Sequence, residues 1–367
     1  MSIYFRARRQ SRIFHETLNS IRRENGFPGG VAAFSYKGRS HAFATGFTEP
    51  EGKRPMRKNA RMLSASIGKM HVGALAYYLN EQGVIDIDKP IGEWLGKQEW
   101  FSRLPNHESI KLRHLLNHTA GLQDHVGLPA FLEEALPRME DPDFYYQPEK
   151  LVAFILDNEP LFPVGQQFSY TDTGFILAGL AIEQAAGKPY YTLLKQNLLK
   201  PLALSDTLPA DRRDIPRLVP GYLAEDNPLG LARSTMKGKK LIRHPLTEWT
   251  GGGLADTALG LVKWSHILFH ESTLFNDYRK AVRKYAYAAD TTDTECYGLG
   301  VAVKASQLGP CYCHGGWTPG YRSFVGYFSD PGLSVSIMVN TDDPSMTSDD
   351  IVRDAVTSLV MQLVSIQ

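Results

Sequence analysis

The sequence predicts an α+β fold of three layers, helix–sheet–helix, and three observations predict it. Strand signatures occur near the N-terminus, where residues 30–36 run apolar into a Lys37-Gly38-Arg39 turn and return through residues 41–47. Four short runs rich in Val, Tyr and Phe then crowd the C-terminal part, separated by turn chemistry such as Asp330-Pro331-Gly332. Helical patterns fill the middle and close both ends. The economical arrangement is an antiparallel sheet built from the N- and C-terminal parts, flanked by helices, with a mostly helical lobe inserted between them. As one domain, this divides into a sheet lobe of residues 1–60 plus 250–367 and a mostly helical lobe of residues 61–249.

Each element follows from local pattern. Residues 5–24 are a helix whose Phe14, Leu18 and Ile21 share a face. The polar, basic residues 51–61 read as loop. Residues 66–82 read as a helix stopped by Gly83, and shorter helices are expected over residues 111–117 and 148–157. Residues 173–186 form a long apolar helix ending at Gly187, and residues 258–269 another. The C-terminal strands fall at 297–303, 311–315, 323–328 and 333–339, and residues 349–364 close the chain as an amphipathic helix.

At 367 residues with 43% hydrophobic and 22% charged side chains, the chain can bury a sizeable core as one large domain or two interleaved lobes. A net charge of +1 is at odds with a nucleic-acid binder, and the basic runs at residues 6–12 and 237–243 read as solvated surface. Three cysteines imply no disulfide framework, and Cys311 and Cys313 read as packing residues on one face of a strand. Residues 1–21 show neither a signal peptide nor a membrane span, so the expected location is cytoplasmic, or periplasmic or secreted if an export signal has been removed. The expected partner is a small-molecule or peptide substrate; nothing in the sequence sets an oligomeric state.

The chemistry concentrates in three segments. Ser66-Ile67-Gly68-Lys69 places a hydroxyl and an amine on one helix face, where a lysine with a pKa lowered by burial could take the serine proton. A helix start there would also aim N–H groups at a developing oxyanion. The competing reading is a capping serine and a surface lysine. Tyr170, in a loop before the apolar helix, could relay protons, or could simply be a buried tyrosine beside a helix cap. His314-Gly315-Gly316-Trp317 lies at the end of a strand. Its glycines permit close backbone approach, Trp317 could offer a backbone N–H, and His314 could bond substrate; a tight turn beside a packed histidine is the alternative.

Together these segments resemble the three motifs of the serine β-lactamase and penicillin-binding-protein superfamily, closest to the branch of class C β-lactamases and DD-peptidases. Residues 112–122 (LRHLLNHTAGL), 163–179 (PVGQQFSYTDTGFILAG), 251–257 (GGGLADT), 297–301 (YGLGV) and 314–320 (HGGWTPG) are similar to stretches typical of that branch, in register over nearly the whole chain. The resemblance implies a β-lactamase/transpeptidase-like fold and an acyl-enzyme chemistry without cofactor or metal. It implies that Ser66 is the acylated nucleophile and Lys69 its proton acceptor or electrostatic support. Tyr170 would shuttle the proton to the leaving group, and the N–H groups of Ser66 and Trp317 would form the oxyanion hole. Asp172, His314, Gly315, Gly316 and Arg322 would line the substrate.

Two positions depart from that pattern. Asp172 stands where asparagine is usual; an ionised carboxylate cannot donate to a substrate carbonyl, and it could favour a protonated Lys69 or attract an amine. Gly315 stands where a threonine often helps hold a substrate carboxylate, a role Arg322 could restore. The expected substrate is therefore a small ester, a D-amino-acid peptide or a β-lactam. Acyl transfer to an alcohol or amine, with Trp317, Tyr321 or Tyr222 as apolar surface, and a non-catalytic binding relative are the alternatives. His114, His118, Asp124 and His125 could be spaced for zinc, but the segment lacks the glutamate of a zinc-protease helix. Gly251-Gly252-Gly253 lacks the Lys-Ser/Thr of a phosphate loop and reads as close backbone approach near the cleft. No Gly-x-Ser-x-Gly elbow is present.

Overall fold

In the computed structural model, residues 3–138, 141–227, 229–270, 275–289 and 295–364 are described. The centre is an eight-stranded antiparallel sheet. Its strands are β1 (Gly29–Tyr36), β2 (Arg39–Gly46), β3 (Tyr287–Ala288), β4 (Glu295–Gly298), β5 (Val301–Lys304), β6 (Cys311–Thr318), β7 (Tyr321–Phe328) and β8 (Leu333–Val339). In space they run β2-β1-β8-β7-β6-β5-β4-β3. The N-terminal hairpin thus docks on the last strand, with Gly30 opposite Val339 and Phe34 opposite Val335. Lys37 and Gly38 both have positive φ (49° and 73°), the mirror-image turn that suits the twist of a two-residue hairpin.

Helices α1 (Ile3–Asn25) and α5 (Asp349–Val364) pack together on one face of the sheet. Phe14 and Leu18 of α1 are wholly buried there with Leu359 of α5 and Val335 of β8. The opposite face takes α4 (Ala258–Phe269), which packs on β1, β7 and β8, and behind it α2 (Gly68–Glu81) and α3 (Asp172–Ala186). Trp264, Met70, Leu75 and Phe175 anchor this larger core, each such side chain contributing about 1.5–3 kcal/mol on burial. The segment between the sheet-forming parts carries a series of helices joined by long loops. It also holds a three-stranded sheet (Met62–Leu63, Leu254–Asp256, Leu208–Pro209) and the ribbon Met236–Lys237/Lys240–Leu241. No described helix is long and apolar enough to cross a membrane.

Two element expectations need correction. Residues 297–303 are not one strand but the ends of a hairpin, because Leu299 and Gly300 take positive φ (48° and 84°) and turn β4 into β5. Residues 66–82 are not one helix. Ala65 sits at φ 50°, a single 3₁₀ turn Ala65–Ile67 follows, and the α-helix begins only at Gly68.

Candidate active site

Ser66 occupies that 3₁₀ turn, just ahead of the N-terminus of α2. The turn is wedged between two backbones that only glycine allows. A Cβ on Gly316 of β6 would lie 2.2 Å from the Ser64 carbonyl oxygen and 2.3 Å from Ser323 Oγ. A Cβ on Gly252 would lie 2.6 Å from the Ala65 carbonyl carbon. The turn is tied down by Ser64 N–H to the Leu254 carbonyl (3.0 Å) and by Ser323 Oγ to the Ser64 carbonyl (2.9 Å). Gly251-Gly252-Gly253 thus acts through close backbone approach.

Lys69, one helical turn on, is fully buried. Its ammonium has three protons and three acceptors: Ser66 Oγ at 3.1 Å, the Gly251 carbonyl at 2.5 Å, and the Asp172 carboxylate in direct contact. The rings of Tyr170 and Phe175 flank it at 5.0 and 5.4 Å. Burial pulls the Lys69 pKa down, but Asp172 and Tyr170 together outweigh burial and hold it above the ordinary lysine value. The expected lowering is therefore corrected: the amine is charged at neutral pH and donates to Ser66 at rest.

Asp172 opens α3, and its N–H is accepted by Asp124 Oδ1 at 3.1 Å. Burial and the neighbouring Asp172 push Asp124 up to about 6. Glu248 is pushed up to about 7 by burial and then by Asp172; it accepts from Thr318 Oγ1 at 3.3 Å.

Tyr170 is 38% exposed, and its ring lies beside the Lys69 ammonium. Its loop is held by His118: the Ser169 N–H donates to the His118 carbonyl (3.0 Å), the Thr171 N–H to His118 Nδ1 (3.2 Å). The imidazole lies against the Tyr170 ring with centroids 4.2 Å apart. Burial pushes His118 well below the ordinary histidine range, so it is neutral. His114 Nδ1 accepts the Lys111 N–H at 3.1 Å, and His125 Nδ1 meets Thr173 Oγ1 at 2.8 Å. Each of the histidines spaced for zinc thus serves a local contact.

The register of β6 and β7 orients the remaining groups. Thr318 and Tyr321 face each other across the two-residue Pro319-Gly320 turn, so they form a hydrogen-bonded pair and Trp317–Arg322 a non-hydrogen-bonded one. The Trp317 N–H consequently points away from β7. It faces an open edge, because β5 pairs with β6 only as far as Cys313. Gly315 has room for a side chain, its nearest neighbour being the Ser323 carbonyl oxygen at 4.0 Å.

His314 and Arg322 are both engaged within the protein. His314 is 6% exposed; its Nδ1 meets the Gly315 carbonyl at 2.5 Å and its Nε2 the Tyr297 hydroxyl at 2.7 Å. The carbonyl can only accept, so Nδ1 carries the proton and Nε2 accepts from Tyr297. Burial and the Lys69 charge push His314 down to about 3, which keeps this neutral tautomer. Arg322 follows strand alternation. Ser323 faces the Ser66 turn, so Arg322 faces the opposite side, where it pairs with Asp349 of α5 at 2.5 Å. Of the proposed apolar surface, Trp317 is 45% exposed, whereas Tyr321 is buried and donates to the Val219 carbonyl at 2.8 Å.

A cavity of about 400 Å³ adjoins the cluster, with Asp172, Gly251 and Trp317 in its wall. The sequence reading missed Glu248, the supporting roles of His118 and Tyr297, and the Gly251 carbonyl as a lysine ligand. The stretches LRHLLNHTAGL, YGLGV and GGGLADT contain His118, Tyr297 and Gly251, but no motif contained Glu248.

The family model described as Beta-lactamase matches residues 12–358. Penicillin-binding protein 4* of Bacillus subtilis (strain 168) is 23% identical over 316 residues, covering 83% of this chain; the chain spans only 65% of that relative's length. Among solved structures, D-amino acid amidase from Ochrobactrum anthropi SV3, complexed with D-phenylalanine, superposes with a TM-score of 0.80 at 20% identity, covering 98% of this chain and 99% of that one. A D-stereospecific amidohydrolase from Streptomyces sp. gives 0.78 at 24% identity, covering 93% and 97%. At these identities the structural likeness is one of fold.

Proposed function

The chain belongs to the beta-lactamase family, and from that premise we propose that it is a serine hydrolase in which Ser66 forms a covalent acyl-enzyme with a small ester, a D-amino-acid peptide or amide, or a β-lactam. The observation that carries this reading is the Ser66–Lys69 contact of 3.1 Å, with Lys69 buried and the Tyr170 ring 5.0 Å from its ammonium. Ser66 Oγ attacks the scissile carbonyl. The developing oxyanion takes the N–H groups of Ser66 and Trp317, aided by the positive end of α2. Lys69, once deprotonated, takes the Ser66 proton, Tyr170 relays it to the leaving group, and water then releases the acyl group. The names of the solved relatives, both acting on D-configured amides, support the amide as the bond cut.

Intact-mass spectrometry tests the assignment. A fluorophosphonate is expected to add once, on Ser66, and p-nitrophenyl butyrate to be turned over. A penicillin adduct that persists would mean slow deacylation, and rapid loss of the β-lactam without adduct would mean a β-lactamase. No labelling of Ser66 by the fluorophosphonate removes the reading.

Asp172 gives this site its own pH behaviour. Lys69 must lose a proton before it can accept one from Ser66, and the Asp172 charge opposes that loss. The value of kcat/KM in the parent is expected to keep rising into the alkaline range. Asp172→Asn removes the opposing charge and leaves burial, which acts downward. The rising limb should therefore move to lower pH by at least about one unit, each unit being 1.36 kcal/mol of lost charge stabilisation. Nitrocefin hydrolysis should increase, since asparagine can donate to the β-lactam side chain. A profile that does not move would show that Lys69 is not the base.

A further inference from the structure

Arg322 is engaged with α5, but a different arginine faces the substrate cavity. Arg243 follows the Met236–Lys237/Lys240–Leu241 ribbon. It precedes the 3₁₀ turn Pro245–Glu248 and the short helix Trp249–Gly252, which supplies the Gly251 carbonyl to Lys69. It lines the same cavity of about 400 Å³ as Asp172, Gly251 and Trp317, and apolar side chains such as Phe131, Ile176 and Leu241 make up much of the remaining wall.

The guanidinium is half-buried, and its Nε is shielded from solvent without a hydrogen-bond partner. Among the described residues no carboxylate pairs with it. The three that share the cavity are engaged elsewhere: Asp172 by Lys69, Glu248 by Thr318 Oγ1 at 3.3 Å, and Asp141 by the Asp143 N–H at 3.0 Å. Burial lowers Arg243 from its ordinary value with no neighbouring charge acting against it, yet a guanidinium stays protonated throughout the accessible pH range. A half-buried cation of this kind is unfavourable until an anion reaches it, and its planar fork matches a carboxylate.

We propose that Arg243 anchors a carboxylate borne by the substrate, with an apolar segment lying along the cavity between that carboxylate and the scissile carbonyl. The inference deepens the hydrolase reading and rests on it for which bond is cut.

Equilibrium binding tests this independently of turnover. By titration calorimetry, the whole chain is expected to bind 5-phenylvalerate at least tenfold more tightly than 5-phenylvaleramide. Arg243→Gln should bring the two affinities within about twofold, and Arg243→Lys, which keeps the charge without the fork, should fall between. Equal binding of acid and amide by the parent chain, or a preference that survives in Arg243→Gln, overturns the proposal.

Two kinetic arms then show where the carboxylate sits. A preference for p-nitrophenyl hydrogen suberate over its methyl ester places it on the acyl side. A preference for N-acetyl-D-phenylalanyl-D-alanine over its C-terminal amide places it on the leaving group. Either preference, read in KM and lost in Arg243→Gln, supports the anchor. Fluorophosphonate labelling of Ser66 without any carboxylate preference refutes the anchor and leaves the hydrolase reading standing. A carboxylate preference without labelling does the reverse.

Discussion

Replacing Ser66 by alanine is expected to lower the turnover of p-nitrophenyl butyrate by on the order of 10⁴–10⁶-fold, the range seen when the nucleophile of a coupled catalytic set is removed. The fold should survive, because the Ser66 turn is held by contacts that do not involve its hydroxyl: the Ser64 N–H on the Leu254 carbonyl, Ser323 on the Ser64 carbonyl, and the approach of Gly252 to Ala65. Residual activity should reflect the N–H groups and binding alone. The check is a steady-state rate with an unchanged urea melt and loss of the fluorophosphonate adduct. Near-parental turnover in this variant would mean that another group is acylated.

Lys69→Met should have the second-largest effect, and on two observables at once. Loss of the proposed base and of the hydroxyl's orienting partner should reduce kcat/KM by about 10²–10⁴-fold. Methionine keeps most of the volume between the Tyr170 and Phe175 rings, so packing changes little. The carboxylate of Asp172, however, is left without its cation. Breaking a buried pair typically costs about 3–5 kcal/mol, and the lower end applies here because the Asp172 side chain is 27% exposed. Lys69→Met/Asp172→Asn should recover most of the stability and none of the rate. Denaturation midpoints and kcat/KM on the same four proteins separate the two effects. If the double variant stays as unstable as the single, the loss comes from packing and not from an orphaned charge.

The elements legible in the sequence are those whose signal is local. Helix α4 and strand β8 fall on the predicted residues because apolar periodicity and flanking turn residues suffice to bound them. Ser66 and Lys69 were nameable because a spacing of three residues brings a hydroxyl and an amine onto one side of adjoining helical turns. The failures share a cause. The 297–303 run reads as one strand because Leu299 carries no turn signature, though its φ of 48° makes it a turn. Arg322 looks available in a list of residues, but whether it or Ser323 faces the site depends on which side of the sheet carries Ser66.

The sequence by itself determined the fold class, the membership signalled by its motifs, and that Ser66, Lys69 and Tyr170 would lie together. Periodicity and short spacings act within a few residues and survive without tertiary information. Tertiary structure alone decided the electrostatics of the site and the shape of the cavity. Lys69 meets a carboxylate 103 positions away and a carbonyl 182 positions away. Those partners reverse the direction in which burial would have moved its pKa. The same long-range closure turns Arg322 toward α5, buries His314 against Tyr297, and leaves Arg243 facing the cavity. Charge–charge interaction depends on distance through space, and only the packed chain fixes that distance.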